Sequence, residues 1–375
     1  MKDVNEVLRW IFPGLLADPS MELPRRHHSN DQDLREESVN LMYPCPSRLS
    51  WTENFERAKL FSDDDVRANP HTWQRLCDPL SSKLSAVSIP FNRSLENDAP
   101  RRVYRRRHTD AIKSVIHWGQ RKLLLSEIEF ISSSLASYSF KQHDLTVLYV
   151  GAGPGHHIPI LIEMFPQIRK WVLFDKTDFS FDKTDSERVE ICKRYFTDAD
   201  TIPFSDKNLL FICDIRNLSA NTSSPTETEK SVSEDMQNQM NWVLKMNPDF
   251  SMLKFRLPYV PGSTPYLSGR LKLPVWGPQT TTEVRLIVEK NAGFQIYDNQ
   301  KHWEQMFFFN TVTRVCLYDF TDRADKMDRG ICACFDCSSE FSILANYFPG
   351  EEFFWSDRIS VMLGGFGRRK SLIDC

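Results

Sequence analysis

The stretch 145-LTVLYVGAGPGHH-157 decides the fold class of this chain. Leu145 to Val150 is almost unbroken apolar, β-branched and aromatic, the pattern of a strand buried on both faces. Gly151, Gly153 and Gly155 follow at once, ahead of the apolar helical run "HHIPILIEMF". Glycines in that position let the backbone turn sharply beside a helix N-terminus and approach a ligand closely. Working outward, "KWVLFDK" reads as a second strand ending in Asp175, and "NLLFICDIR" as a third ending in Asp214. "FSMLKFRLP" and "TTTEVRLIVEK" read as two more strands, and "GQRKLLLSEIEFI" (Gly119–Ile131) and "DMQNQMNWVLKMN" as helices. This alternation predicts an α/β fold with a mostly parallel central sheet and helices on both faces. The polar stretch "NLSANTSSPTETEKSVSE", Asn217 to Glu234, reads as a loop. "CACFDC", Cys332 to Cys337, lacks an obvious fourth ligand for zinc and reads as a buried strand.

The bulk numbers narrow the class of molecule. A chain of 375 residues with 41% hydrophobic and 26% charged residues can bury a full core. A formal charge of −3 excludes an overall basic protein, so nucleic acid must be met by a local patch. Nine cysteines without a disulfide-like framework suit a reducing, intracellular compartment, nuclear or viral and cytoplasmic alike. No apolar run approaches the roughly 20 residues of a membrane helix. The opening "MKDVNEVLRWIFPGLL" reads as a short helix interrupted at Pro13 rather than a signal peptide. The first hundred or so residues read as an irregular or partly helical extension.

The glycine loop distinguishes between cofactors. A dinucleotide fingerprint needs G-x-G-x-x-G, and His156 stands at its third glycine. The spacing G-x-G-x-G with Asp175 at the next strand end fits an S-adenosylmethionine site instead. There the loop passes the methionine part and a carboxylate takes the ribose hydroxyls.

Asp214 ends one strand, Lys254 lies inside another, Glu283 opens a third, and Lys122 starts the apolar stripe of a helix. Singly, each has an ordinary reading as a cap or a solvent-facing charge. Together they suit methyl transfer to a ribose hydroxyl. That poor nucleophile needs a base in line with the methyl, and a lysine serves only when burial or a nearby cation lowers its pKa. "RRVYRRRH", Arg101 to His108, packs five arginines around a tyrosine and suits RNA phosphates, or else a charged linker or localisation signal. Arg216 and Arg285 are expected to meet an RNA backbone.

"GQRKLLLSEIEFI", "YVGAGPGHHI", "WVLFD", "ICDIR", "LKFRLPY" and "TEVRL" occur in the order and spacing of a known family. Across roughly residues 104–345 the chain resembles the poxvirus-type cap-specific mRNA (nucleoside-2′-O-)methyltransferases, which have an FtsJ-like Rossmann fold. The resemblance implies an S-adenosylmethionine-dependent enzyme with a catalytic tetrad of Lys122, Asp214, Lys254 and Glu283, Lys254 being the base. It puts Gln120, Tyr149, Gly151, Gly153, Gly155, His157, Asp175 and Asp214 around the cofactor. It implies a slot for the methylated guanine of the cap between Tyr104 and Tyr259, read by Glu304. A second cap-reading carboxylate expected two residues after Tyr259 is replaced by Pro261. Capped mRNA and a polymerase or capping-machinery protein are the implied partners, with no membrane. Residues 1–103 then form an extension of unassigned role and residues 346–375 a tail. Uncapped structural RNA as substrate, and a non-catalytic RNA-binding or poly(A) polymerase processivity subunit on the same fold, are the competing readings.

Overall fold

The computed structural model describes residues 93–104, 116–137, 145–181, 187–205, 207–217, 225–277, 281–310 and 335–363. Arg105–His108, the start of "CACFDC" at Cys332–Cys334, and the extension before residue 93 lie outside the described residues. Among the described residues seven strands make the central sheet: β1 (Thr146–Val150), β2 (Lys170–Phe174), β3 (Val189–Cys192), β4 (Leu209–Cys213), β5 (Phe250–Phe255), β7 (Arg270–Lys272) and β8 (Val284–Glu289). Their order is β3-β2-β1-β4-β5-β8-β7. The first five are parallel to one another, and β8 pairs antiparallel with both β5 and β7. Strands β6 (Ser263–Leu267) and β9 (Phe294–Asp298) form a separate antiparallel pair. The order reverses between β1 and β4, and open α/β sheets bind ligands at such a point, beyond the carboxyl ends of the strands.

Side chains alternate across these strands, so each strand feeds two cores. Val147, Tyr149, Trp171, Leu173, Leu210, Ile212, Met252 and Ile287 pack into one core. The helices on that side are α1 (Ile116–Ser137), α2 (Ile158–Met164), α5 (Phe335–Tyr347) and α6 (Glu352–Met362). Leu148, Val150, Val172, Phe174, Phe211, Leu253, Leu286 and Val288 pack into the other, against α3 (Pro225–Met246) and α4 (Asn299–Phe308). The apolar stripe expected on α1 is present: Leu124, Ile128 and Ile131 are fully buried and Leu135 packs at its margin. Among the described residues no helix is long and apolar enough to cross a membrane.

Three local expectations change. The loop read over Asn217–Glu234 is helical from Pro225 onward. Proline suits a first helical turn, Glu227 favours its dipole, and Val232 opens the buried series Val232, Met236, Met240, Val243. The strand read at "CACFDC" is, from Phe335, the first turn of α5. Buried Phe335, Asp336, Ser339, Glu340, Ile343 and Leu344 recur at helical spacing, which a short run of small residues disguises. Past residue 345, α6 drives Trp355 and Ile359 into the core, and Leu363 follows them just after its end. Its Arg358 reaches Glu163 of α2 at 2.6 Å.

Candidate active site

Three loops meet at the carboxyl edge of the sheet. The backbone after β1 bends over β2 and β4: Gly151 N–H and Ala152 N–H donate to Phe174 C=O, and Asp214 N–H donates to Val150 C=O at 2.9 Å. Gly151 has φ +83, and a Cβ there would stand 2.8 Å from the Asp214 carbonyl carbon and from Ile215 N. At Gly153 a Cβ would collide with the Asp175 carboxyl carbon at 2.8 Å and with Thr177. Both glycines are therefore required by close approach. Gly153 N–H donates to Asp175 Oδ2 at 3.0 Å, and Thr177 donates its N–H and hydroxyl to Asp175 Oδ1.

Gln120, Tyr149 and His157 join a buried network around Glu127, a residue that in the sequence looks like one more position on a helix face. Tyr149 donates to Glu127 Oε1 at 2.5 Å, and His157 Nε2 lies 3.0 Å from the same oxygen. His157 Nδ1 lies 2.6 Å from Gln120 Oε1. Burial, then the charges of Glu127 and Asp214, push the Tyr149 phenol well above its ordinary value. The second oxygen of Glu127 is buried without a hydrogen-bond partner among the described residues.

The four charged residues singled out at strand and helix ends come together. Lys122 Nζ lies 2.9 Å from Glu283, and Lys254 Nζ lies 3.2 Å from Asp214 and 3.9 Å from Glu283. Their side chains are between 14% and 18% exposed. Lys254 is on an interior strand, between β4 and β8, so the reading of it as an edge lysine facing water falls away. It is paired across the ladder with Arg285, and both side chains share the α1 face with Met252 and Ile287. Arg285, expected at an RNA backbone, is instead 7% exposed on its side chain, 2.8 Å from Asp214 and 3.6 Å from Glu283. Inward register is the reason: β8 alternates, and position 285 faces the same way as Lys254. Arg216, 24% exposed, lies 3.2 Å from Glu283.

Two carboxylates thus stand among four cations. Burial disfavours ionised Asp214, yet Arg285 and Lys254 outweigh it and hold that carboxyl below its ordinary value. Burial likewise opposes ionised Glu283, and Lys122, Lys254, Arg285 and Arg216 hold it well below. Both stay anionic at neutral pH, and the cluster keeps a positive excess suited to a phosphodiester.

A second constellation adjoins the first. Tyr259 follows β5, and its hydroxyl is 2.8 Å from the hydroxyl of Thr282, the residue before Glu283. Tyr104 stacks on Tyr259, with ring centroids 5.3 Å apart and planes at 22°. Glu304, on α4, takes Arg101 at 2.7 Å. Arg256 lies over the Tyr259 ring at 4.7 Å and pairs with Glu229, whose other oxygen accepts Tyr259 N–H.

An open, mostly parallel sheet with a glycine loop at its reversal point and a lysine–carboxylate cluster beside it defines an open-sheet α/β protein with a candidate ligand site at its switch point. Residues 93–343, more than half of the chain, match the family described as "Poly A polymerase regulatory subunit", and the chain belongs to that family. It is 27% identical over 240 residues to the cap-specific mRNA (nucleoside-2'-O-)-methyltransferase of Fowlpox virus (strain NVSL), covering 56% of this chain and 72% of that one. It is 28% identical over 242 residues to the protein of the same name from Myxoma virus (strain Lausanne), covering 56% and 67%. Among solved structures, bluetongue virus VP4, described as a multifunctional RNA-capping production line, aligns with a TM-score of 0.40 at 12% identity. That alignment covers 68% of this chain and 41% of VP4.

Proposed function

We propose that this chain is an S-adenosylmethionine-dependent 2′-O-ribose methyltransferase acting on cap-proximal nucleotides of mRNA. The observation that carries the reading is the convergence of Lys122, Asp214, Lys254 and Glu283 on one face of the sheet beside the glycine loop. Relatives named for this activity support it.

The residues at the loop fit the methyl donor. Gly151 and Gly153 leave a cradle that a Cβ would fill, and Asp175 stands at the next strand end. Asp175 already accepts three hydrogen bonds, two of them from Thr177, so grasping two ribose hydroxyls requires the Thr177 hydroxyl to turn away. When bound, S-adenosylmethionine supplies an electrophilic methyl group. Lys254 Nζ, in its free-amine form, takes the proton of the 2′-hydroxyl as its oxygen attacks, and becomes the ammonium that pairs with Asp214. Asp214 fixes Lys254 in place, and Glu283 fixes Lys122, so the amine meets the hydroxyl without first reorganising. Arg216, the more exposed of the two arginines, is assigned to the RNA phosphate.

N7-methylguanine is a delocalised cation, favoured between the Tyr104 and Tyr259 rings and at a carboxylate such as Glu304. This slot favours capped over uncapped RNA as substrate. Labelled methyl transfer to capped RNA and to the same RNA lacking its cap tests the assignment. Incorporation at a 2′-oxygen of the capped RNA, at least ten-fold above the uncapped one, is the expected result. Equal incorporation would point to structural RNA.

The family description supports a second reading, a regulatory subunit working beside a poly(A) polymerase. Binding of both RNAs with no transfer to either would favour it.

A further inference from the structure

The two walls of the slot are shut on each other, and its carboxylate is already taken by a cation. The near-parallel stack of Tyr104 on Tyr259 leaves their centroids 5.3 Å apart and their hydroxyls 3.3 Å apart. A planar base inserted between two rings needs about 7 Å, two layers of van der Waals contact. Arg101 donates Nε and Nη2 to Oε2 of Glu304 at 2.8 and 2.7 Å, while Gln300 donates to Oε1 at 2.9 Å. Both oxygens of the carboxylate are engaged.

The segment bearing Arg101 and Tyr104 is held along its length. Leu95 N–H donates to Leu271 C=O, and Arg93 C=O accepts from Leu273, which adds this segment to the edge of β7. Gln305 donates to the carbonyls of Asn97 and Ala99. Arg102 N–H donates to Glu304 C=O, its guanidinium lies 5.5 Å from the Phe307 ring, and Tyr104 meets that ring edge-on. The root of the strap is fastened by backbone pairing. Its tip is held mostly by side chains: Tyr104 on Tyr259 and edge-on to Phe307, Arg102 near the Phe307 ring, and the ion pair of Arg101, whose side chain is 46% exposed, with one backbone bond from Arg102 to Glu304 among them. The tip is the part that can yield.

We infer that Arg101 and Tyr104 are a built-in competitor of the cap, with the guanidinium standing in for the cationic purine at Glu304 and the Tyr104 ring covering Tyr259. This rests on the cap reading above. A bound cap must displace Arg101 from Glu304 and lift Tyr104 by one ring thickness, after which Tyr104 closes as the second wall of the slot. Competition in cis multiplies the dissociation constant of every ligand that needs the slot by one common factor. Arg101 therefore sets affinity, whereas Tyr259 and Glu304 set the preference for the methylated base. An ion pair with its arginine 46% exposed and its carboxylate 12% exposed is worth a factor of about two to five.

The test uses the full chain with 7-methylguanosine 5′-monophosphate and guanosine 5′-monophosphate as probes, titrated by calorimetry. Arg101→Gln is expected to tighten both by the same two- to five-fold and to leave their ratio unchanged. Arg101→Lys, which keeps a cation for Glu304, is expected to stay within about two-fold of the wild type. Unchanged or weaker binding of the methylated probe by Arg101→Gln would overturn the competitor, marking Arg101 as a support of the slot. Failure of the underlying reading is separately visible, since the wild type would then not prefer the methylated nucleotide.

Discussion

His302 is the residue whose charge the fold controls most plainly. It is 3% exposed on α4, within hydrogen-bond distance of Thr282 C=O through Nε2, and burial carries its pKa from 6.5 down to about 4. Between those two values the unfolded chain binds a proton that the folded one refuses. Stability therefore falls as pH drops from about 6.5 through 4, by about 2 to 3 kcal/mol at pH 4.5. Urea unfolding at pH 7 and pH 4.5 checks this, with His302→Gln expected to lose the smaller amount. An equal loss in both proteins would contradict it. Single residues also mark how far the sequence reaches. Lys122 alone is a helix-end charge. Only Asp214, Lys254 and Glu283, each at a strand end or inside an apolar strand, give it a partner set, and those positions are legible. Arg285 is not legible as a buried partner of Asp214, because register across β5 and β8 decides it. Glu127 and the Arg101–Glu304 pair are equally hidden, since each depends on residues distant in sequence.

At the scale of elements, the question is what aims α1. Arg121, between Gln120 and Lys122, is 2% exposed and donates to both oxygens of Glu340 on α5, at 2.8 and 2.6 Å. Trp276 Nε1 and Ser356 on α6 donate to the same carboxylate. These C-terminal helices thus grip the turn that carries Lys122. Removing one partner strands a buried charge, so Glu340→Leu is expected to lose about 3 to 5 kcal/mol, while Arg121→Met with Glu340→Leu recovers most of it. Chemical denaturation of the three proteins measures it, and additive losses in the double variant would contradict the pairing. The strands are legible because apolar runs bounded by glycines and acids leave little choice. The first turns of α3 and α5 are not. A polar, low-complexity surface and a short run of small residues look alike whether helical or extended until a core gives them a face.

Across the whole molecule, two independent layers of helix press on one sheet, and its strand-order reversal gathers the glycine loop, Asp175, Asp214 and Lys254 at one edge. The mostly parallel sheet is readable from alternation alone. The antiparallel pair of β8 with β5 is not, yet it is what sets Arg285 opposite Lys254. The Tyr104–Tyr259 stack adjoins the lysine–carboxylate cluster through Thr282, the residue before Glu283. The most direct test of this account is methyl transfer from labelled S-adenosylmethionine to capped RNA by the wild type and by Lys254→Ala, with cofactor affinity measured in parallel. The account predicts transfer reduced at least a thousand-fold while cofactor affinity changes by less than about three-fold, the signature of a lost proton acceptor. Undiminished transfer by Lys254→Ala would contradict it.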